Sequence, residues 1–103
     1  MHATIRSDHG VDQNRTAELT TKVNQTLVPK LSELPGFAAY YLVDAGNGIF
    51  TSFGLFETRE QGDESTKLVT RWIREEKFDS AMPNEPKITS GKVIAQSKEL
   101  AVA

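Results

Sequence analysis

Two neighbouring runs of residues, 37–43 and 49–56, constrain the fold of this chain more than any other feature. Both are rich in aromatic and β-branched residues, which favour strands. The segment between them, Asp44-Ala45-Gly46-Asn47-Gly48, is a strong turn signal. The pattern predicts an antiparallel hairpin.

Both faces of this hairpin are apolar, because side chains alternate along a strand. In the first strand, one side carries Phe37, Ala39, Tyr41 and Val43, and the other carries Ala38, Tyr40 and Leu42. In the second strand, Ile49, Thr51, Phe53 and Leu55 likewise oppose Phe50, Ser52, Gly54 and Phe56. The helices of so short a chain can cover only one face. We therefore predict that a second copy covers the other face, as in a symmetric homodimer.

A first helix is predicted after a short strand and a polar loop. Residues 3–7 alternate like a short strand, and residues 8–14 read as a polar loop. Apolar residues then recur at helical spacing, at Leu19, Val23, Leu27, Leu31 and Leu34. Pro29 predicts a kink at residues 25–29, or two shorter helices, and Pro35-Gly36 ends the element.

A second helix is predicted to begin at Thr58, because Thr58 and Gln61 have the spacing of a capping box. Its apolar stripe is Leu68, Val69, Trp72 and Ile73, and it should end near Lys77, after which Phe78 can turn back onto the core. Residues 87–96 read as a last strand containing Ile88, Val93 and Ile94, and residues 97–103 as a loose tail.

The order strand, helix, strand, strand, helix, strand predicts an α+β fold of the ferredoxin-like βαββαβ type, with both helices on one face of a four-stranded antiparallel sheet. At 103 residues, the chain should form a single domain whose core spans about residues 3–96.

Composition excludes several classes of function. The net charge is -2 and the basic residues are scattered, so no basic surface for nucleic acid is expected. No run of 18 apolar residues suggests a membrane span, and there is no cysteine for disulfides or thiolate chemistry. We expect a cytoplasmic protein.

Several of these features together resemble a known family. They are Leu34-Pro35-Gly36-Phe37, the hairpin, Phe56-Glu57 before a helix, Trp72 on that helix and Gly91 in the closing strand. This combination is similar to the dimeric α/β-barrel superfamily, in its antibiotic-biosynthesis-monooxygenase-like branch. The resemblance implies a homodimer with facing sheets and a cavity between sheet and helices in each protomer. Some relatives oxidise aromatic polyketides or quinols without metal or flavin, and others degrade haem.

The candidate ligand-binding residues are Trp72, Arg6, Tyr40, Tyr41 and Phe53. Trp72 could stack on an aromatic ligand or simply anchor its helix to the sheet. Arg6 is the one obvious cation for a substrate anion, although a solvated arginine at a strand edge is the more ordinary interpretation. Tyr40 and Tyr41 must point to opposite faces, so one should lie toward the helices and the other toward the partner.

No cofactor is expected. The resemblance would place a haem ligand on the second helix, but His2 and His9 lie near the first strand. Both also lack neighbouring metal ligands, which favours an exposed polar role for each of them. Three hypotheses remain: a small-molecule-binding homodimer without the polar groups that catalysis needs, a cofactor-independent monooxygenase of electron-rich aromatics, and an interaction module that uses the charged face of the second helix.

Overall fold

The computed structural model describes residues 1–97 and confirms the ferredoxin-like α+β fold. The four strands are β1 (His2–Asp8), β2 (Phe37–Gly46), β3 (Ile49–Phe56) and β4 (Lys87–Lys92). They form one antiparallel sheet in the order β2-β3-β1-β4. The first strand is therefore an inner strand of the sheet, flanked by β3 and β4.

The first helical segment is interrupted where the sequence predicted an irregularity. A 3-10 turn, Gln13–Arg15, leads into α1 (Thr16–Lys22), a π-helical turn (Val23–Leu27) and α2 (Val28–Ser32). Pro29 at the start of α2 has no N–H to donate, and its ring would crowd the preceding turn of a regular α-helix. The wide π-helical turn lies just before it, with Val28 N–H donating to the carbonyl of Val23.

The hairpin has a two-residue turn, with Asn47 and Gly48 at φ 55° and 76°, as in a type I′ turn. At its other end, the pairing of β2 with β3 shifts between Phe37 and Ala39. This irregularity places Phe37 against the core on the helix side, where its ring meets Phe56 at 5.7 Å. The strict alternation predicted for Phe37 was therefore wrong, because a bulge resets which face a residue occupies.

The last helix, α3 (Arg59–Glu75), begins with the predicted capping box. Gln61 N–H donates to Thr58 Oγ1 at 3.3 Å, and Thr58 N–H donates to Gln61 Oε1 at 3.0 Å. After α3 the chain reverses through Lys77 at φ 61°, and Phe78 is buried as predicted.

The final strand is shorter than predicted, since β4 ends at Lys92 and residues 93–97 have no regular structure. Val93 is held by one backbone bond to Met1, and Ile94 is 93% exposed. All six residues of β4 are exposed, so the burial of side chains does little to extend this edge strand. Of the predicted tail 97–103, residues 98–103 lie outside the described part of the chain.

The core lies between the sheet and the helices. Its buried members come from the helices, β3 and the connecting segments: Val11, Leu19, Val23, Leu27, Leu31, Phe50, Trp72, Ile73 and Phe78. Val11 had been expected in a polar loop. The opposite face of the sheet carries no helix, and Tyr41, Val43 and Phe53 are 51%, 53% and 36% exposed there.

Candidate functional site

The side of β1 that faces the helices consists entirely of polar residues. His2, Thr4, Arg6 and Asp8 alternate along the strand on this side, and Thr4 and Asp8 are buried. The buried side of an inner strand is ordinarily apolar, because polar groups lose their hydration there. This polar row is the feature of the interior that packing alone does not explain.

Arg6 and Asp8 form a buried ion pair in this row. Arg6 Nε donates to Asp8 Oδ2 at 3.0 Å, and the two side chains are only 12% and 7% exposed. Arg6 Nη1 also donates to Thr70 Oγ1 of α3 at 3.3 Å. The interpretation of Arg6 as a solvated residue at a strand edge was therefore wrong, since β1 is an inner strand.

Tyr40 lies on the same side of the sheet as this pair. Burial raises the pKa of the Tyr40 phenol above its usual 10.0, and the Asp8 charge acts in the same direction. A hydrogen bond with Ser52 and the Arg6 charge act in the opposite direction but are weaker than burial. Tyr40 therefore remains a neutral hydrogen-bond donor throughout the physiological pH range.

Trp72 is fully packed, with 2% of its surface exposed. Its indole N–H donates to Thr26 Oγ1 of the π-helical turn at 2.8 Å, and its ring stacks on Phe78 at 5.6 Å between centroids. These contacts join α3 to the first helical segment. Trp72 thus anchors its helix, and it also contributes to the wall of the interior cavity.

Two neighbouring spaces share part of their walls in this region. An interior cavity of about 30 Å³ is bordered by the Arg6–Asp8 pair, Tyr40, Ser52, Trp72 and apolar side chains of the core. A larger cleft of about 320 Å³ lies between the first helical segment and β2. The cavity and the cleft share Val23, Tyr40, Leu42 and Phe50 in their walls. The cavity and the cleft are therefore adjacent, and the wall of the cleft also includes the polar residues Thr20, Asn24 and Asp44.

Two predicted site residues lie outside this region or at its rim. Phe53 pairs with Tyr41 and Ile5 on the side of the sheet that carries no helix, so it does not line the interior cavity. Tyr41 belongs to the same side and reaches only the outer wall of the cleft. Tyr40 and Tyr41 thus face opposite sides, as alternation predicted.

The two histidines differ in burial. His9 is exposed, whereas the interpretation of His2 as exposed was wrong, because His2 Nε2 is buried and without a hydrogen-bond partner among residues 1–97. Neither histidine lies on α3 or borders the interior cavity, so neither offers an axial ligand for a haem there. Within residues 1–97, no group of three or more acidic or histidine side chains is arranged to hold a metal ion.

Sequence reasoning missed Asp8 as the partner of Arg6, Ser52 as the partner of Tyr40, and the burial of Thr4 beside them. A signal was present: the alternate residues of residues 2–8 are all polar, and the first strand of a ferredoxin-like sheet is an inner strand. The predicted lack of a polar constellation was wrong for that reason.

Among residues 1–97, no helix combines the length and apolar character needed to cross a membrane.

Comparison with known proteins gives fold neighbours at low sequence identity. No family model and no curated protein sequence matches the chain. A monooxygenase of Streptomyces coelicolor in complex with nanaomycin D matches with a TM-score of 0.70 and 12% identity, covering 94% of this chain and 90% of that one. A mutant of MhuD with two manganese protoporphyrin IX molecules bound per active site matches with a TM-score of 0.72 and 12% identity, covering 95% and 99%.

A dimeric ferredoxin-like protein from an uncultured marine organism matches with a TM-score of 0.63 and 11% identity, covering 94% and 96% of the two chains. Further neighbours include proteins of unknown function. The chain therefore has a ferredoxin-like fold that is also found in proteins described as antibiotic biosynthesis monooxygenases. At these identities the likeness extends to the fold alone.

Proposed function

We propose that this protein is a homodimer that binds a small aromatic molecule carrying a phenolic or carbonyl oxygen. The observation that supports this function is the buried Arg6–Asp8 pair with Tyr40 in the wall of the interior cavity, next to a cleft whose wall includes Val28, Leu42 and Phe50. Arg6 and the neutral Tyr40 phenol are hydrogen-bond donors, so they suit an oxygen acceptor. The apolar side chains of the cleft suit the ring that carries it.

The dimensions set the size of the ligand. The cleft volume of about 320 Å³ is at the lower end of the range of small-molecule pockets, which run from roughly 300 to 1,000 Å³. The interior cavity of about 30 Å³ has room for one polar substituent and not for a ring. The proposed ligand therefore places one or two fused rings in the cleft and its oxygen next to Tyr40.

Binding can be measured by the fluorescence of Trp72, which is the only tryptophan in the chain. We expect 1-naphthol to change this fluorescence saturably. Tyr40→Phe should weaken binding of 1-naphthol about five- to tenfold, the worth of roughly one hydrogen bond. Ser7→Ala is the control, because it removes a hydroxyl from the side of the sheet without helices, and Ser7 borders neither the cavity nor the cleft. Equal effects of the two substitutions would contradict the proposed site.

The homodimer is supported by the side of the sheet without helices. On this side, three residues lie next to one another across β2, β3 and β1, namely Tyr41, Phe53 and Ile5. The structurally similar protein from an uncultured marine organism is described as dimeric. An apolar sheet face of this kind is stabilised by a second copy. We expect Phe53→Arg to give a monomer in analytical ultracentrifugation, whereas Ile94→Arg, in the exposed segment after β4, should leave the dimer intact. A wild-type monomer at micromolar concentration would refute the dimer.

Cofactor-independent oxygenation is the second candidate, favoured by the same pair of donors. In such a reaction a ring CH₂ group and O₂ give a C=O group and one water, and all four electrons come from the substrate and its two C–H bonds. The substrate passes through a carbanion whose charge rests on oxygen, and Arg6 and Tyr40 are placed to stabilise that oxygen.

Oxygen uptake with anthrone, which has a ring CH₂ group, tests this reaction. We expect uptake that Arg6→Lys and Tyr40→Phe both reduce, and binding of anthrone without uptake would leave the protein a binding protein. No contact found among residues 1–97 supports the interaction-module hypothesis. A cytoplasmic location is part of the proposal and is supported by the absence of cysteine from the sequence.

A further inference from the structure

A second small cavity lies under α3, beside the interior cavity. It has a volume of about 20 Å³, and its wall includes five hydroxyl-bearing residues, Thr4, Tyr40, Ser52, Ser65 and Thr66. A space of this size accommodates one water molecule, provided that two to four polar partners surround it. The cavity has this size, and the hydroxyl-bearing residues Thr4, Ser65 and Thr66 form part of its wall.

Thr4 is the residue that needs such a partner. It is 9% exposed, and its hydroxyl has no hydrogen-bond partner among the atoms of residues 1–97. A buried hydroxyl without a partner destabilises a protein by about 1–3 kcal/mol. The hydroxyls opposite it on α3 are acceptors, because Ser65 and Thr66 both donate their protons to the carbonyl of Gly62, at 2.6 and 3.3 Å.

Two glycines provide the space around the Thr4 hydroxyl. Gly54 stands between Tyr40 and Thr4 in the row of residues across β2, β3 and β1, so no side chain separates them. Gly62 lies above, and a Cβ atom there would be 3.0 Å from Thr4 Oγ1. The space beside the Thr4 hydroxyl therefore depends on two glycines that have no side chain to fill it.

We propose that this cavity is a binding site for one ordered water molecule, held by Thr4 and by the hydroxyl oxygens of α3. Tyr40, Ser52 and Arg6 border both this cavity and the interior cavity. The water therefore extends the hydrogen-bond network of Tyr40 away from the ligand. In this second role, which rests on the proposed function, Thr4 is a positioning residue for the Tyr40 phenol.

The water site is tested without any ligand, by urea unfolding. Thr4→Val replaces the hydroxyl by a methyl group of nearly the same size, and Thr4→Ser retains the hydroxyl. If water binds Thr4, Thr4→Val should lower the midpoint of unfolding more than Thr4→Ser does. If the hydroxyl is simply unpaired, Thr4→Val should raise the midpoint, because it removes an unsatisfied polar group; this result would overturn the proposal.

Gly54→Ala gives an independent test. A Cβ atom at residue 54 would have its nearest neighbours at 3.5 Å or more, so alanine fits without a clash and fills part of the cavity. The change should lower the unfolding midpoint more in the wild type, where it displaces the water, than in the Thr4→Val background. Equal shifts in the two backgrounds would overturn the proposal, and the comparison cancels the general effect of replacing glycine by alanine.

The positioning role is tested with two ligands of the same shape. Thr4→Val should weaken binding of 1-naphthol, which has a hydroxyl, about three- to tenfold and leave binding of naphthalene unchanged, while Thr4→Ser restores the wild-type affinity. An equal effect on both ligands would refute the positioning role. If wild-type protein binds neither ligand, the proposed function and the positioning role fail together, and the urea experiments still decide the water site.

Discussion

Removal of Arg6 should destabilise the protein more than removal of any exposed charge. The pair that Arg6 forms with Asp8 is 3.0 Å long and almost completely buried. Replacing one member of a buried pair leaves the other charge without compensation, at a cost of about 3–5 kcal/mol. With a urea m-value of about 1.5 kcal/mol/M, a loss of about 3 kcal/mol lowers the unfolding midpoint by about 2 M. We expect this shift for Arg6→Met, measured by circular dichroism at neutral pH.

The controls use a double-mutant cycle and an exposed pair. Arg6→Met combined with Asp8→Asn should cost much less than the sum of the two single changes, because no unpaired charge remains. Glu18→Gln removes the partner of Arg15 in a 2.7 Å pair at the surface and should cost less than about 1 kcal/mol. A midpoint shift for Arg6→Met as small as that for Glu18→Gln would refute the argument that the Arg6–Asp8 pair is buried and strong.

Three further changes probe other parts of the structure. In the Tyr41→Phe variant, Tyr40 is the only tyrosine, and the absorbance at 295 nm should show that it ionises above pH 10.0. Because folding raises the pKa of Tyr40, its contribution to stability is complete below pH 10 and is lost as the pH rises through the folded-state pKa. A midpoint at or below 10.0 would contradict the burial of the phenol. Thr58→Ala should cost about 1 kcal/mol in urea unfolding, through loss of the α3 capping box, and Thr58→Ser should recover most of it. Thr26→Val should cost about 1–3 kcal/mol because it leaves the buried indole N–H of Trp72 unpaired, whereas Thr21→Val, at an exposed site of α1, should change stability by less than about 0.5 kcal/mol.

The local elements of this protein are determined by the sequence itself. Asn47-Gly48 forms the hairpin turn because both residues tolerate positive φ, and Thr58 with Gln61 caps α3 because their spacing satisfies the first backbone donors of a helix. Each of these signals involves residues within three positions of each other. Alternation likewise predicted that Tyr40 and Tyr41 lie on opposite sides of the sheet.

The candidate site was decided by contacts between distant parts of the chain. The residues next to Arg6 in the sequence do not bury it; it is buried once β3 and β4 enclose β1, and only then do Tyr40 and Thr70 lie beside the Arg6–Asp8 pair. The bulge that turned Phe37 toward the core and the early end of β4 likewise depend on strand pairing. Pairing register and burial are properties of the assembled sheet, because the partner strand, rather than the neighbouring residues in sequence, determines which polar groups lose their water and must find one another.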